Sequence, residues 1–222
     1  MAVLSKYFSD QDLAEIKEAV KQAESKTSGE IVPYFAEASH HYKEYAWQVA
    51  FLGGALGGFA LFIQSQFVDS SWGEIPLIYA ILYIWTGSLI GLVLGTALPI
   101  LRKLFISNKM KSFYVNLRAK EAFLNEEVFR TKDRTGILIY ISFFEKIVRV
   151  LPDVTISKIV PQSDWNEAVR LIIDGMKSGN KRAGIVASIL FCGNLLTKYG
   201  VEIQKNDQNE LSDEIRDGGT LL

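Results

Sequence analysis

Two stretches decide the architecture: AWQVAFLGGALGGFALFIQSQFV at 46–68 and IPLIYAILYIWTGSLIGLVLGTALPIL at 75–101. Neither contains an Asp, Glu, Lys or Arg. As helices they extend roughly 35 and 40 Å, and a hydrocarbon core of about 30 Å needs roughly 20 apolar residues. Each run therefore predicts a membrane span, and the pair predicts a two-helix hairpin in the lipid bilayer. Trp47, Trp72, Tyr79 and Trp85 include candidates for interface anchors. A secretory signal is excluded, because the first run starts too late and the residues before it are polar.

Basic residues orient the hairpin. The connector 64–76 carries Asp69 and Glu74 and no Lys or Arg. Lys43 flanks the first run, and Arg102, Lys103, Lys109, Lys111, Arg118 and Lys120 follow the second before any acid. Positive charge stays on the cytoplasmic side, so the expected protein is a two-span cell-membrane protein with both termini and its soluble part cytoplasmic. The single Cys192 excludes an intramolecular disulfide and suits a reducing compartment.

Small residues recur inside both runs. Gly53 and Gly57 lie four apart in the first, and Gly87, Gly91 and Gly95 share one face of the second. Lipid supplies no hydrophobic drive for helix association, so close backbone approach has to supply it. These glycines are expected to pack the two helices on each other. Docking to another membrane protein, or self-association, is the alternative use of the same spacing.

Outside residues 45–101 the composition is ordinary. About 165 residues remain, enough for one domain with a real core. The net charge of −1 gives no pull toward nucleic acid. Two adjacent His and one Cys make a Cys/His zinc site untenable.

Local signals give the order of elements. Ser9 with Asp12 three residues on opens a helix, and Leu13, Ile16, Val20 and Ala23 recur at helical spacing. A strand is expected at 30–35, with Pro33 marking an edge or a bulge. A long helix is expected at 103–130, with Phe113, Leu117, Leu124 and Val128 lining one side. The continuous apolar run at 136–142 predicts a central strand covered on both faces. Residues 146–151 are its hairpin partner, and 154–160 is open between strand and helix. Helices follow at 163–177 and 182–199, and the tail from 205 is polar. The expected fold is α/β: a mixed sheet flanked by helices, interrupted by a two-helix transmembrane hairpin. Its parts are 1–44, 45–101, 102–204 and 205–222.

Three segments carry a family resemblance. They are TSGEIV at 27–32, TKDRTGILIYISFFE at 131–145 and NELSDEI at 209–215. In this order they resemble the TPM domain, a phosphatase-like domain, and in particular its bacterial membrane branch, where a helical hairpin follows the first strand. The resemblance spans roughly the whole chain, with the Arg-Thr-Gly strand followed by Glu its most specific part. It implies a mixed sheet flanked by helices. It further implies a role in assembly or repair of membrane protein complexes, or, alternatively, a divalent-metal-dependent acid phosphatase near the membrane surface. Two positions depart from the pattern: no glycine follows shortly after Asp153, and Ser212 stands where relatives commonly carry proline.

Candidate chemistry is sparse. No Gly-x-Ser-x-Gly elbow occurs, and the glycines at 179 and 184 are not followed by the Lys-Ser/Thr of a P-loop. They do place Lys181 and Arg182 at a helix start, where free N–H groups favour an anion, so this pair is the candidate phosphate site. A metal here would have oxygen ligands, hence Ca²⁺ or Mg²⁺. Asp133, Glu145 and Glu214 are candidates among the acids, and Asp153, Glu210 and Asp213 form the expected set. Glu145 and Asp153 lie at opposite ends of one strand and cannot share an ion. His40 and His41 are expected at the membrane interface, and Cys192 in the core.

Overall fold

The computed structural model describes residues 3–67, 76–203 and 209–219. The connector with Asp69, Trp72 and Glu74 lies outside the described residues. In chain order the elements are α1 (Leu4–Tyr7), α2 (Asp10–Glu24), β1 (Glu30–Ala36), a 3-10 turn (Lys43–Tyr45), α3 (Ala46–Ser65), α4 (Leu77–Ala97), α5 (Pro99–Arg102), α6 (Asn108–Asn125), β2 (Gly136–Ser142), β3 (Ile147–Pro152), α7 (Val154–Ile159), α8 (Gln162–Lys177), α9 (Lys181–Lys198) and β4 (Arg216–Asp217). They fall into two compact units. One joins Met1–His40 to Ser112–Leu222, and the other is His41–Lys111.

The first unit is an α/β fold around a four-stranded mixed sheet of order β3-β2-β1-β4. β1 runs parallel to β2 in the register Glu30↔Gly136 to Ala36↔Ser142, and β2 pairs antiparallel with β3. Alternation along the strands builds two cores. Ile31, Phe35, Ile137, Ile139 and Ile141 face α2, α8 and α9. Val32, Tyr34, Leu138 and Tyr140 face α6. Both faces of β2 are thus covered, as its unbroken apolar run requires.

The start of α2 is the capping box expected there: the Ser9 hydroxyl accepts the Asp12 N–H at 3.2 Å, and the Asp12 carboxylate accepts the Ser9 N–H at 3.0 Å. Residues 154–159 form a helix, because the Asp153 carboxylate caps the Val154 N–H at 2.6 Å. Cys192 is fully buried in α9, and burial pushes its thiol up to about 12.

Two expectations need correction. β1 is an edge strand over its first half only: the two-residue β4 pairs with Tyr34 and Phe35 and leaves the part with Pro33 uncovered. The Phe35 carbonyl accepts the Gly218 N–H at 2.7 Å, so Phe35 and, by the period of two, Pro33 direct their main-chain groups to the β4 side. The missing Pro33 donor falls where β4 has no residue to pair with it. The second correction concerns α6, which begins at Asn108 and ends at Asn125 rather than spanning 103–130. Its buried side is Val115, Ala119 and Ala122, whereas Phe113, Leu117 and Leu124 are 58%, 47% and 61% exposed. Small residues face the sheet because they let the helix axis approach it closely.

The second unit is dominated by α3 and α4, both long and apolar enough to cross a membrane. They pack backbone on backbone. A Cβ on Gly57 would lie 2.1 Å from the Tyr83 carbonyl oxygen, and one on Gly91 2.5 Å from that of Val49. Gly95 meets Ala46 and Val49 at 3.0–3.1 Å. The bulky side chains Phe51, Phe59, Phe62, Leu89 and Ile90 point outward and are exposed.

Candidate functional site

The two carboxyls most strongly raised by burial, Glu24 and Glu30, lie where the parallel strands begin. β4 is too short to cover the start of β1, so the edge there needs another partner. Glu24, at the end of α2, supplies it: its carboxylate accepts the Ile31 N–H at 2.8 Å. Glu30, the first residue of β1, is only 7% exposed. Its Oε1 accepts the Glu210 N–H at 3.1 Å, tying the segment 209–215 along the same edge. Its Oε2 is buried without a hydrogen-bond partner among the described residues.

These groups open onto a notch of about 240 Å³ lined by Lys21, Glu24, Thr27, Glu30, Asn209 and Asp213, among others. Burial pushes the Glu24 carboxyl up to about 8, with the Glu30 and Asp213 charges adding to it. Burial likewise raises Glu30 to about 6, and Glu210 and Asp213 add to that shift. Glu24 keeps its proton at neutral pH and Glu30 takes one up just below it, so both can act as acids beside an open notch.

The expected metal set is not gathered here. Asp153 is 4% exposed and committed elsewhere: its Oδ2 lies 2.8 Å from Arg134 Nε, its Oδ1 accepts Arg134 Nη2 at 3.0 Å, and it caps α7. Glu210 accepts the Lys132 N–H at 2.7 Å, and Asp213 bonds the Asn209 side chain. Among the described residues no three Asp, Glu, His or Cys side chains form a group able to hold a metal ion. The donor set therefore does not fit Ca²⁺ or Mg²⁺ as it stands, and no reaction step is derived through a metal. Glu145 sits at the far end of β3 from Asp153, as the spacing requires, and accepts the Ser39 N–H at 2.9 Å.

The helix-start site at 181–182 is likewise already occupied. Asn180 Oδ1 takes the Ala183 N–H at 3.2 Å, and Arg182 pairs with Glu15 and, at 3.6 Å, with Asp12. Lys181 turns instead to the Tyr7 ring, 5.1 Å from its centroid. The His40 ring stacks on Tyr114 at 3.9 Å. Glu24 and Glu30 were missed as candidates by sequence reasoning. The available signal was a glutamate opening an otherwise apolar strand, immediately after Thr-Ser-Gly.

No protein-family model matches the chain, and no curated protein matches it. Among solved structures, the NMR structure of the BA42 protein from the psychrophilic bacterium Bizionia argentinensis is similar. The match covers 98% of this chain and 100% of that one, with a TM-score of 0.59 and 21% sequence identity. At that identity the likeness establishes a shared fold and nothing about activity.

Proposed function

We propose that this protein is a membrane-anchored α/β module that docks on another membrane protein, in the manner of an assembly or repair factor. The observation that carries the reading is the inverted surface of the α3/α4 pair: glycine backbones meet inside, and bulky apolar side chains face out. Such a surface suits lipid, where packing rather than hydrophobicity holds helices together. The glycines are consumed within the hairpin, so docking falls to other surfaces. α6 supports it, because Phe113, Leu117 and Leu124 form an unburied apolar stripe beside Lys120. The resemblance to the TPM domain and the basic residues after α4 support a cytoplasmic module with both termini on that side.

The test places a photo-crosslinking amino acid at Leu117 or Leu124 in cells. A discrete adduct with a second membrane protein, together with protease resistance of the α/β unit in intact cells, is the expected result. Cleavage of that unit by external protease, or crosslinks to lipid alone, overturns the reading.

A second reading, an acid phosphatase near the membrane surface, is favoured by one observation. Glu30 keeps an unpaired, buried carboxyl oxygen beside a notch that also holds Lys21. In that reading water attacks phosphorus and the P–O bond to the alcohol breaks, protonated Glu30 gives its proton to the leaving oxygen, and Lys21 holds the phosphate anion. Hydrolysis that rises below pH 6 and vanishes in Glu30→Gln supports it, whereas equal activity of wild type and variant removes it.

A further inference from the structure

A second cavity, of about 390 Å³, opens at the C-terminal end of β2, between the β2–β3 turn, α8 and the start of α9. Its floor and walls are apolar, with Phe143, Ile147, Ile173 and Met176 in the lining. One wall is stiffened by the Tyr7 ring, which stacks on Phe143 with centroids 3.8 Å apart and planes 11° from parallel. Met176 on the opposite side is unbranched and adapts its shape. Water inside such a space finds few hydrogen-bond partners, so an apolar occupant is preferred.

Apart from Ser142 and Tyr7, the polar part of the lining is cationic. Lys146, Lys177 and Lys181 all border the cavity, and among the described residues no Asp or Glu does. Among the described residues none of the three lysines is in an ion pair, whereas Arg182, next in sequence to Lys181, is neutralised by Asp12 and Glu15. Lys146 stands at φ 57° in the turn between β2 and β3, a conformation in which glycine or asparagine costs less. A lysine there gives up some backbone stability to put a positive charge at the mouth.

We propose that this cavity binds a free single-chain amphiphilic anion: an aliphatic tail in the apolar space and a carboxylate or phosphate monoester at the three ammonium groups. At roughly 30 Å³ per water-sized group the space takes on the order of a dozen heavy atoms, which sets a tail of about eight to ten carbons. The opposite arrangement, a cationic amphiphile, is excluded by the lysines, and a small inorganic anion leaves the apolar walls unfilled. The site is distinct from the acidic notch and does not depend on the docking reading.

The full chain in nanodiscs of phosphatidylcholine is titrated calorimetrically with decanoate, with decyl phosphate and with decyltrimethylammonium, and empty discs provide the partition baseline. Saturable one-to-one binding of both anions above that baseline is expected, with none of the cation. Lys181→Met weakens anion binding by about tenfold, the worth of one charge-assisted contact. Lys146→Gly weakens it similarly while raising thermal stability, a combination a folding defect cannot produce. Adding phosphatidylglycerol to the discs separates two sources of the same chemistry: unchanged decanoate affinity supports a free ligand. Displacement of decanoate by that lipid overturns the free-ligand assignment. Cation binding equal to that of the anions, wild-type affinity in both variants, or heats equal to empty discs overturns the site itself.

Discussion

Gly53 and Gly87 occupy each other's missing side-chain space: a Cβ on Gly53 would lie 2.2 Å from the Gly87 carbonyl oxygen, and one on Gly87 2.3 Å from that of Gly53. A Leu at either position must push α3 and α4 apart. Gly87→Leu is expected to cost more than about 2 kcal/mol of hairpin stability. Gly58 is the control, because a Cβ there meets only Ile84 at 3.6 Å and beyond, so Gly58→Ala is tolerated. Thermal unfolding in nanodiscs, followed by tryptophan fluorescence, compares the two, and equal loss in both variants contradicts the packing.

Asp153 is a structural acid. Removing it leaves the Arg134 guanidinium without its partner and the start of α7 without its cap. Asp153→Ala should destabilise the α/β unit by about 2–3 kcal/mol, and by the same amount with divalent cation or with chelator. A loss seen only when cation is present would restore Asp153 as a ligand. Chemical denaturation under both conditions measures it.

The acidic notch makes stability depend on pH. Glu24 and Glu30 titrate near 4.5 when free and at about 8 and about 6 in the fold. Between those values the folded chain retains protons that the unfolded chain has released. The contribution is therefore intact below about pH 4.5 and is lost progressively up to pH 8. Glu24→Gln should flatten that decline and gain on the order of 1–3 kcal/mol at pH 8, allowing for its partial exposure. Denaturation midpoints at pH 5 and pH 8 decide it; parallel declines in variant and wild type contradict the burial.

The two sides of α6 respond differently to substitution. Leu117→Gln and Leu124→Gln alter exposed positions and should stay within about 0.5 kcal/mol of wild type. Ala119→Leu forces a large side chain between helix and sheet and should cost about 1–3 kcal/mol. If the Gln variants unfold the unit and Ala119→Leu does not, the helix is rotated from the position described.

Elements whose environment is local were legible from the residues. The Ser9–Asp12 cap, the apolar run 136–142 and the stripe of α8 around Trp165, Ala168 and Ile172 are each set by neighbours in sequence. α6 misled because it carries two apolar faces. Bulk favoured Phe113 and Leu117, while the sheet selects Ala119 and Ala122 for closeness of approach. β4 has two residues, Arg216 and Asp217, and no periodicity at all. The notch was hidden for a related reason: Glu24 and Glu30 are buried by the segment 209–215 arriving from the other end of the chain. Lys181 is legible at its helix start, but its place beside an apolar cavity depends on Tyr7 and Phe143, which are remote in sequence.

The register of β1 on β2 sets a timetable for biosynthesis. Glu30 waits for Gly136, so the first strand leaves the ribosome long before its mate is made. At about 5–20 residues per second the delay is roughly 5–20 s. Throughout that interval the N-terminal segment exposes Ile31, Val32 and Phe35 as a bare template, while the greasy helices that follow are being synthesised. Early cover for that template, as by a nascent-chain chaperone, is what such a birth order favours.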